Sequence, residues 1–403
     1  MRSTRDVVVV GGGVVGASIA FHCARLQAGS VTLLERHASL AEGASGSSGA
    51  LVRTHYTDEP EARMAWAAVP WFEEWADRVG GSCGFVRTGF LQLVHRCDAG
   101  LLRKNVAVLQ RLGIETSLVT SDEIRSLQPG LRIADDESAA FEPRSGYADP
   151  VATTHSLADA ARRLGAEIRT GEPVRALRVE GSRVVGVDTS SQSFDAGVVV
   201  LANGSWSVPL LREIGIDVPI EPYRAQAAIL DRPRSLVGSP GHLTLIDRRY
   251  GIYARPADAD GTLVGLSRAA PTQRLASPDD VDVEEHFPEQ ARKRIARAIP
   301  AFRDSVVRST QAGPLDVTPD RCCLLGPLPG IDQLVLAVGM SGSGFKKAPA
   351  LGACIAELIV EGEATTAPID PFRPGRFDDD ATIQRSEYRV GDDPDDARDA
   401  LVH

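Results

Sequence analysis

Four consecutive valines, Val7–Val10, run directly into Gly11-x-Gly13-x-x-Gly16. An unbroken β-branched run predicts a strand buried on both faces, as in a parallel sheet. The glycines turn the chain, Val14–Arg25 has helical spacing, and Val31–Leu34 is a second buried run. Parallel neighbours need a crossover, so this βαβ unit of about 30 residues commits the chain to an α/β sheet with helices on its faces. Within the turn, Gly11 permits the tight bend, Gly13 lets a pyrophosphate approach the backbone, and Gly16 allows close helix–strand packing. Val14 and Val15 open the helix, whose unpaired N–H groups and dipole favour phosphate. Glu35, followed by Arg36, ends the second run, where a carboxylate binds ribose hydroxyls and repels a 2′-phosphate. The unit predicts a dinucleotide with a free ribose.

A second turn of the same kind lies far along the chain. Leu334–Val338 reads as a buried strand, Gly339–Lys346 as a glycine-rich turn and Pro349–Glu361 as a helix. The amides of such a turn form an anion-stabilising nest. Reduced flavin carries negative charge on its N1–C2=O2 edge, so this turn favours FAD over NAD; the alternative is a plain strand–helix connection.

Between the two turns the pattern changes. Met64–Val79 reads as an amphipathic helix, Phe90–His95 as a strand, and Leu101–Leu112 and Val151–Leu164 as helices. Strands are expected at Glu167–Arg169, Val174–Val179, Arg183–Thr189 and Val198–Leu201, then an antiparallel set from Ile220 to Ser267 and a charged helix at Asp279–Ile299. At 403 residues the chain exceeds one ordinary core. The expected fold is α/β (α+β overall), a Rossmann-type domain interrupted by a largely antiparallel-sheet domain. The nucleotide domain would take residues 1–80, 150–215 and 310–375, the inserted domain 81–149 and 216–309, and an acidic tail 376–403. That last stretch carries nine acids against four arginines and reads as solvated.

The net charge of −10 argues against nucleic acid or an anionic membrane as partner. No apolar run reaches roughly 18 residues, and no signal-peptide core precedes the first strand, so a cytoplasmic address is expected. Six cysteines show neither C-x-x-C nor metal-ligand spacing, which predicts reduced, packed thiols and no metal site.

Taken in order, several motifs resemble the D-amino-acid oxidase superfamily of FAD oxidoreductases, in its sarcosine oxidase and dimethylglycine dehydrogenase branch. They are Val7–Gly16 with Glu35, Gly43–Arg53, Gly146–Pro150, Ala202–Trp206, Gly251–Tyr253, Val317–Asp320 and Gly339–Lys346. The resemblance implies FAD held by Gly11, Gly13, Val14, Val15, Gly16, Glu35, Arg36, Ala44, Ser45, Ser48, Val174, Ala202, Gly204, Trp206, Gly313, Gly342, Ser343, Gly344, Phe345 and Lys346. It implies oxidation of a C–N bond in a small amino acid, a secondary or N-methyl amine, by hydride transfer to flavin N5 and hydrolysis of the imine. Arg53 and Lys346 would hold the substrate carboxylate, Tyr253 would face the substrate, and His55 would tune or accept the amine proton. The electron acceptor would be O2 or another oxidant.

Three departures carry information. Gly313 stands where monomeric sarcosine oxidases bear the cysteine tethered to flavin, which implies non-covalent FAD. Val264 falls where they carry an O2-activating lysine, which fits a dehydrogenase or a sluggish oxidase. Arg268 falls where they carry a histidine, which implies a further anionic group on the substrate. Two other readings stay open at this point: a 2-hydroxy-acid dehydrogenase on the same fold, and a flavoprotein subunit active only in a hetero-oligomeric sarcosine-oxidase-like complex; a homo-oligomer or a hetero-oligomer is equally compatible with the sequence.

Overall fold

The computed structural model describes residues 2–236, 241–267 and 274–391. Val7–Val10 are buried, and their strand, Arg2–Val10, lies in parallel between Val31–Leu34 and Ser193–Leu201. Leu334–Val338 extends the parallel set beyond Ser193–Leu201, and Glu167–Arg169 extends it beyond Val31–Leu34. Side chains alternate across this sheet. Val7 and Val9 pack into one core with the helices Val14–Arg25, Pro150–Arg163 and Gly344–Glu361. Val8 and Val10 face a second core, closed by Val184, Val187 and Leu211. Those closing residues belong to the antiparallel pair Val174–Glu180 and Arg183–Thr189 and to the short helix Ser207–Glu213. Burial on both faces explains why the valine run is uninterrupted.

The second eight-stranded sheet runs in the order Val307–Val317, Glu221–Asp231, Gly261–Leu266, Ile252–Pro256, Thr244–Asp247, Phe90–Leu93, Ser138–Glu142, Ser117–Thr120. All its pairings are antiparallel except Thr244–Asp247 with Phe90–Leu93. One face packs Ala254, Val264 and Leu245 against Phe287, Ala291 and Ile295 of the helix Phe287–Ala298. The opposite face carries Phe90, Ile246 and Tyr253. A two-stranded ladder, Leu51–Val52 with Gly146–Tyr147, stands apart from both sheets. The architecture is thus α/β, with a largely parallel Rossmann-type sheet and a largely antiparallel one. No helix among the described residues is long and apolar enough to cross a membrane.

Several element boundaries differ from the sequence reading for identifiable reasons. The helix expected from Met64 begins at Glu59, because the Asp58 carboxylate caps it by accepting from Glu61 N at 2.9 Å. The helix expected over Asp279–Ile299 begins only at Phe287. Pro288, which lacks an N–H, fits the first turn but not a helix interior. The helix expected from Pro349 starts five residues earlier, at Gly344. The strands Ser117–Thr120, Ser138–Glu142 and Val307–Val317 have little apolar alternation and are defined by their partners.

The largest correction concerns the acidic tail. Composition made residues from Arg376 onward a solvated tail, yet residues 376–391 lie against the body. Arg376 is fully buried. Its Nε and Nη2 donate to the two Asp320 oxygens at 2.8 Å each, and further N–H groups reach the Cys322, Cys323 and Phe372 carbonyls. The acids that dominate the charge count in this stretch cluster mainly after Gly391, outside the described residues. From Arg376 the chain continues as a strap. Arg385 pairs with Asp58 at 3.3 Å, and Tyr388 is buried. Arg389 N donates to Asp98 Oδ2 at 2.7 Å, and Gly391 N donates to Arg248 O at 2.9 Å.

Removing one partner of a buried ion pair strands the other charge, at a cost of about 3–5 kcal/mol. Arg376→Ala is therefore expected to lower unfolding free energy by about that amount in urea titrations. A loss below about 1 kcal/mol, the scale of a surface pair, would return the strap to the status of a solvated tail.

Candidate active site

Residues of both sheets line one cavity of about 710 Å³. At one end two helices present their N-termini to it. The helix Val14–Arg25 has Gly13 at its N-cap, with no side-chain cap and no acid in the first turn; Gly344–Glu361 has Ser343, likewise uncapped and without acid. The helices cross closely, since a Cβ on Gly352 would overlap Ser18 Oγ. Around the first of them, Ser45 Oγ accepts from Val14 N at 2.9 Å and Glu35 from Gly12 N at 2.6 Å; no acid stands in the first turn of either helix, so their positive ends still face one cavity.

The three glycines of the first turn differ in what they do. Gly11 has φ +112°, and a Cβ there would lie 2.7 Å from Ala202 O. Gly16 does not line the cavity; a Cβ on it would strike Gly11 O, so it sets helix–strand contact. Gly13 has an ordinary extended backbone, φ −75°, that any residue adopts. Its added Cβ would meet only Ser45 Oγ, at 2.9 Å, and would otherwise enter the cavity. Space, not backbone strain, excludes a side chain there, which fits a phosphate-bearing ligand drawn up to the amides.

The walls of this end come from distant segments. Glu35 lines the cavity with both oxygens engaged, accepting from Gly12 N at 2.6 Å and His37 N at 2.8 Å. Arg36 stacks over Trp206 at 4.4 Å, and both bind Asp279. Val14, Val15, Ala44, Ser45, Ser48, Val174, Ala202 and Gly204 complete this lining. The Gly342–Lys346 turn is held by Asp316, whose Oδ2 accepts from Gly339 N at 2.6 Å. Burial pushes the Asp316 carboxyl up to about 6, against the lowering effect of the Met340 and Gly339 amides. Gly313 also lines the cavity; a Cβ there would lie 2.7 Å from Ser47 Cβ. No cysteine lines the cavity among the described residues, and Cys322 and Cys323 are buried elsewhere.

The same cavity also carries cations on its wall. Arg53 follows the short ladder and is fixed through its neighbour: Thr54 N and Oγ1 donate to the buried Glu142 carboxylate at 2.9 and 2.6 Å. The Arg53 guanidinium donates to His55 O and lies over the Tyr56 ring at 4.5 Å. Lys346 is buried with no hydrogen-bond or ion-pair partner among the described residues. Burial, then Arg53 and Lys347, hold its ammonium well below the usual lysine range. Lys347, one residue on, is instead satisfied by both Glu61 oxygens at 2.7 Å. The Tyr253 ring fits between Gly49 and Gly265, where a Cβ on either would strike it, and burial pushes its hydroxyl up to about 12.

His55 lines the cavity too, but its ring is a poor proton acceptor. Burial, with Arg53 and Arg248 adding, drives it down to about 3. Its Nε2 lies 3.0 Å from Tyr388 Oη and 3.1 Å from Asn105 Nδ2. Of the two roles expected for His55, this weighs against accepting the amine proton and leaves the tuning role open. Val264 is corrected as well: it faces the helix Phe287–Ala298, on the opposite side of the sheet from Tyr253. Strand side chains alternate, so the neighbour Gly265 takes the Tyr253 side. Arg268 lies outside the described residues. Sequence reading missed Gln92, Ile246, Arg248, Arg321 and the strap residues Arg385–Tyr388, all of which line the cavity. Tyr388, an isolated aromatic in an otherwise polar stretch, was the one available signal.

Residues 6–358 match the family model described as FAD dependent oxidoreductase (DAO). The chain is 29% identical over 392 residues to the bifunctional protein ThiO/ThiG of Synechocystis, covering 94% of this chain and 55% of that protein. It spans about half the length of several such curated relatives. Human peroxisomal sarcosine oxidase is 27% identical, with 92% of this chain and 96% of that one covered. Among solved structures, L-proline dehydrogenase from P. horikoshii superposes with a TM-score of 0.87 at 27% identity, covering 95% of this chain and all of that chain.

The contrast between two glycines gives a test. Gly16→Ala should lower folding stability by about 1–3 kcal/mol, because backbone must move. Gly13→Val should leave the thermal transition near that of the wild type but weaken FAD in fluorescence titrations by at least roughly tenfold. Unchanged FAD affinity in Gly13→Val would remove the phosphate role from that turn.

Proposed function

The chain belongs to the family of FAD-dependent oxidoreductases, and from that premise we propose that it oxidises the C–N bond of a small amino acid bearing a secondary or N-methyl amine. The observation that carries this reading is a pair of cations, Arg53 and Lys346, which line the same cavity as the two open helix termini and have no carboxylate partner among the described residues. A buried unpaired cation is costly, and a substrate carboxylate offsets that cost. FAD, when bound, supplies the two-electron acceptor.

The residues proposed to hold FAD are the Gly11–Val15 turn with Glu35 and Arg36, the Ala44–Ser48 segment, Val174, Ala202–Trp206, Gly313 and Gly342–Lys346. Arg53 offers a planar fork to the substrate carboxylate, and Lys346 adds a point charge. Held at that end, the substrate has its α-carbon fixed against the inner wall, where Tyr253 limits its tilt. His55, neutral and bonded to Tyr388 and Asn105 through Nε2, shapes the chamber and is a weak base there. The amine is read as entering as its free base or giving its proton to another group or to water. The strap excludes bulk solvent from this end. With Gly313 crowded by Ser47 and no cysteine in the lining, FAD attachment is read as non-covalent, and O2 or another oxidant takes the electrons.

Mixing under anaerobic conditions tests the substrate class. N-methyl amino acids should bleach the flavin band, while 2-hydroxy acids should leave it intact; the reverse order would sink the proposal. Acid precipitation should release all yellow colour into the supernatant, and flavin retained in the pellet would rule out non-covalent attachment. Because Lys346 is depressed in the empty chamber and a carboxylate raises it again, anion binding should take up a proton. Affinity should then fall as pH rises past the point, below the usual lysine range, where Lys346 loses its proton in the occupied chamber. Calorimetry in buffers of different ionisation enthalpy checks this, and zero proton uptake throughout would contradict it.

A further inference from the structure

Arg248 and Arg249 are adjacent in the chain and are treated oppositely by the fold. Arg249 is satisfied by carboxylates: it bonds Asp247 at 2.9 and 2.7 Å and Glu137 at 2.8 Å. Arg248 lines the cavity instead. Its Nη1 donates to Ser267 O at 3.1 Å, while its Nε is buried without any hydrogen-bond partner among the described residues. Burial and the nearby Arg53 hold its guanidinium down to about 10.

The surrounding charges sharpen the contrast. Arg53, Arg248, Arg321, Arg385 and Lys346 all line this cavity, and among the described residues only Arg385 has an ion-pair partner, Asp58. Among the described residues, Asp247 next in the chain is taken up by Arg249, and Glu387 on the strap, which acts on Arg248, is exposed and makes no ion pair with it. Arg53 and Lys346 suffice for a single substrate carboxylate, so Arg248 remains a planar, half-buried donor that only Ser267 O partly satisfies. Its place is fixed at both ends of its backbone: Arg248 N donates to Leu93 O at 3.0 Å and Arg248 O accepts from Gly391 N at 2.9 Å. A donor held this firmly is pre-organised for a ligand.

We propose that Arg248 receives a second carboxylate of the substrate, so that the chamber takes an N-substituted amino dicarboxylate in preference to a monocarboxylate. This rests on the proposed seating of the first carboxylate by Arg53 and Lys346. A dianion would give the unpaired cations of the chamber their counter-charge, and the guanidinium fork suits a carboxylate bidentately.

The test is equilibrium binding of inert thioethers to the oxidised holoenzyme by calorimetry, with (methylthio)acetate as the monoanion and thiodiacetate and (2-carboxyethylthio)acetate as dianions. At least one dianion should bind roughly tenfold or more tighter than the monoanion. In Arg248→Gln that ratio should collapse toward one, and in Arg248→Lys, which keeps the charge without the fork, it should be intermediate. FAD content of each variant reports folding. Equal affinities for monoanion and dianions in the wild type would overturn the dicarboxylate reading alone, as would an unchanged ratio in Arg248→Gln. If none of the three ligands binds while FAD is retained, the seating by Arg53 and Lys346 fails, and this inference with it.

Discussion

Everything at the site depends on two helices packed closely enough for their N-termini to share one cavity. Gly16 lets the helix Val14–Arg25 lie down on its strand, and Gly352 lets the helix Gly344–Glu361 lie against Ser18. Neither N-cap residue caps its helix with its own side chain and neither first turn holds an acid; Ser45 Oγ takes only the Val14 N–H and leaves the rest open. A globular protein ordinarily satisfies such ends. Leaving two of them open side by side creates a field that favours an anionic ligand, and FAD carries negative charge at its pyrophosphate.

The wall of the cavity repeats this logic with side chains. Along the chain, paired and unpaired cations alternate within single steps: Lys347 is satisfied by Glu61 while Lys346 is not, and Arg249 is satisfied by Asp247 and Glu137 while Arg248 is not. The paired member of each couple fixes the backbone, and the fixed backbone aims the unpaired one. Burial alone would push both unpaired groups toward neutrality. The proposed carboxylate substrate would reverse that tendency and so couple occupancy to protonation in this chamber.

Much of the first sheet was legible because its signals are local. Four valines in a row have no reading but double burial, and Val31–Leu34 and Leu334–Val338 share that character. The face of a strand is harder to read, because a slip of one residue inverts it. That is how Val264 was assigned to the side that Gly265 occupies. The strap was illegible for a different reason. Arg376 and Asp320 are 56 residues apart, and nothing in a run of mixed charges says that one arginine will be wholly enclosed. Arg248 posed the same difficulty: an Arg-Arg pair at a strand end reads as surface charge until the neighbours of each are known.

In chain order the strap follows every strand of both sheets. The dinucleotide end therefore has all its parts before the chamber acquires its outer wall. During synthesis, the sheets and the two helix starts can assemble, and cofactor can enter, while the substrate end is still open to water. Docking of Tyr388 onto His55 and Asn105 then becomes a late event, alongside the Arg385–Asp58 and Arg389–Asp98 contacts. Cofactor loading and closure of the substrate end are thereby assigned to different stretches of one chain, and the second can lag the first.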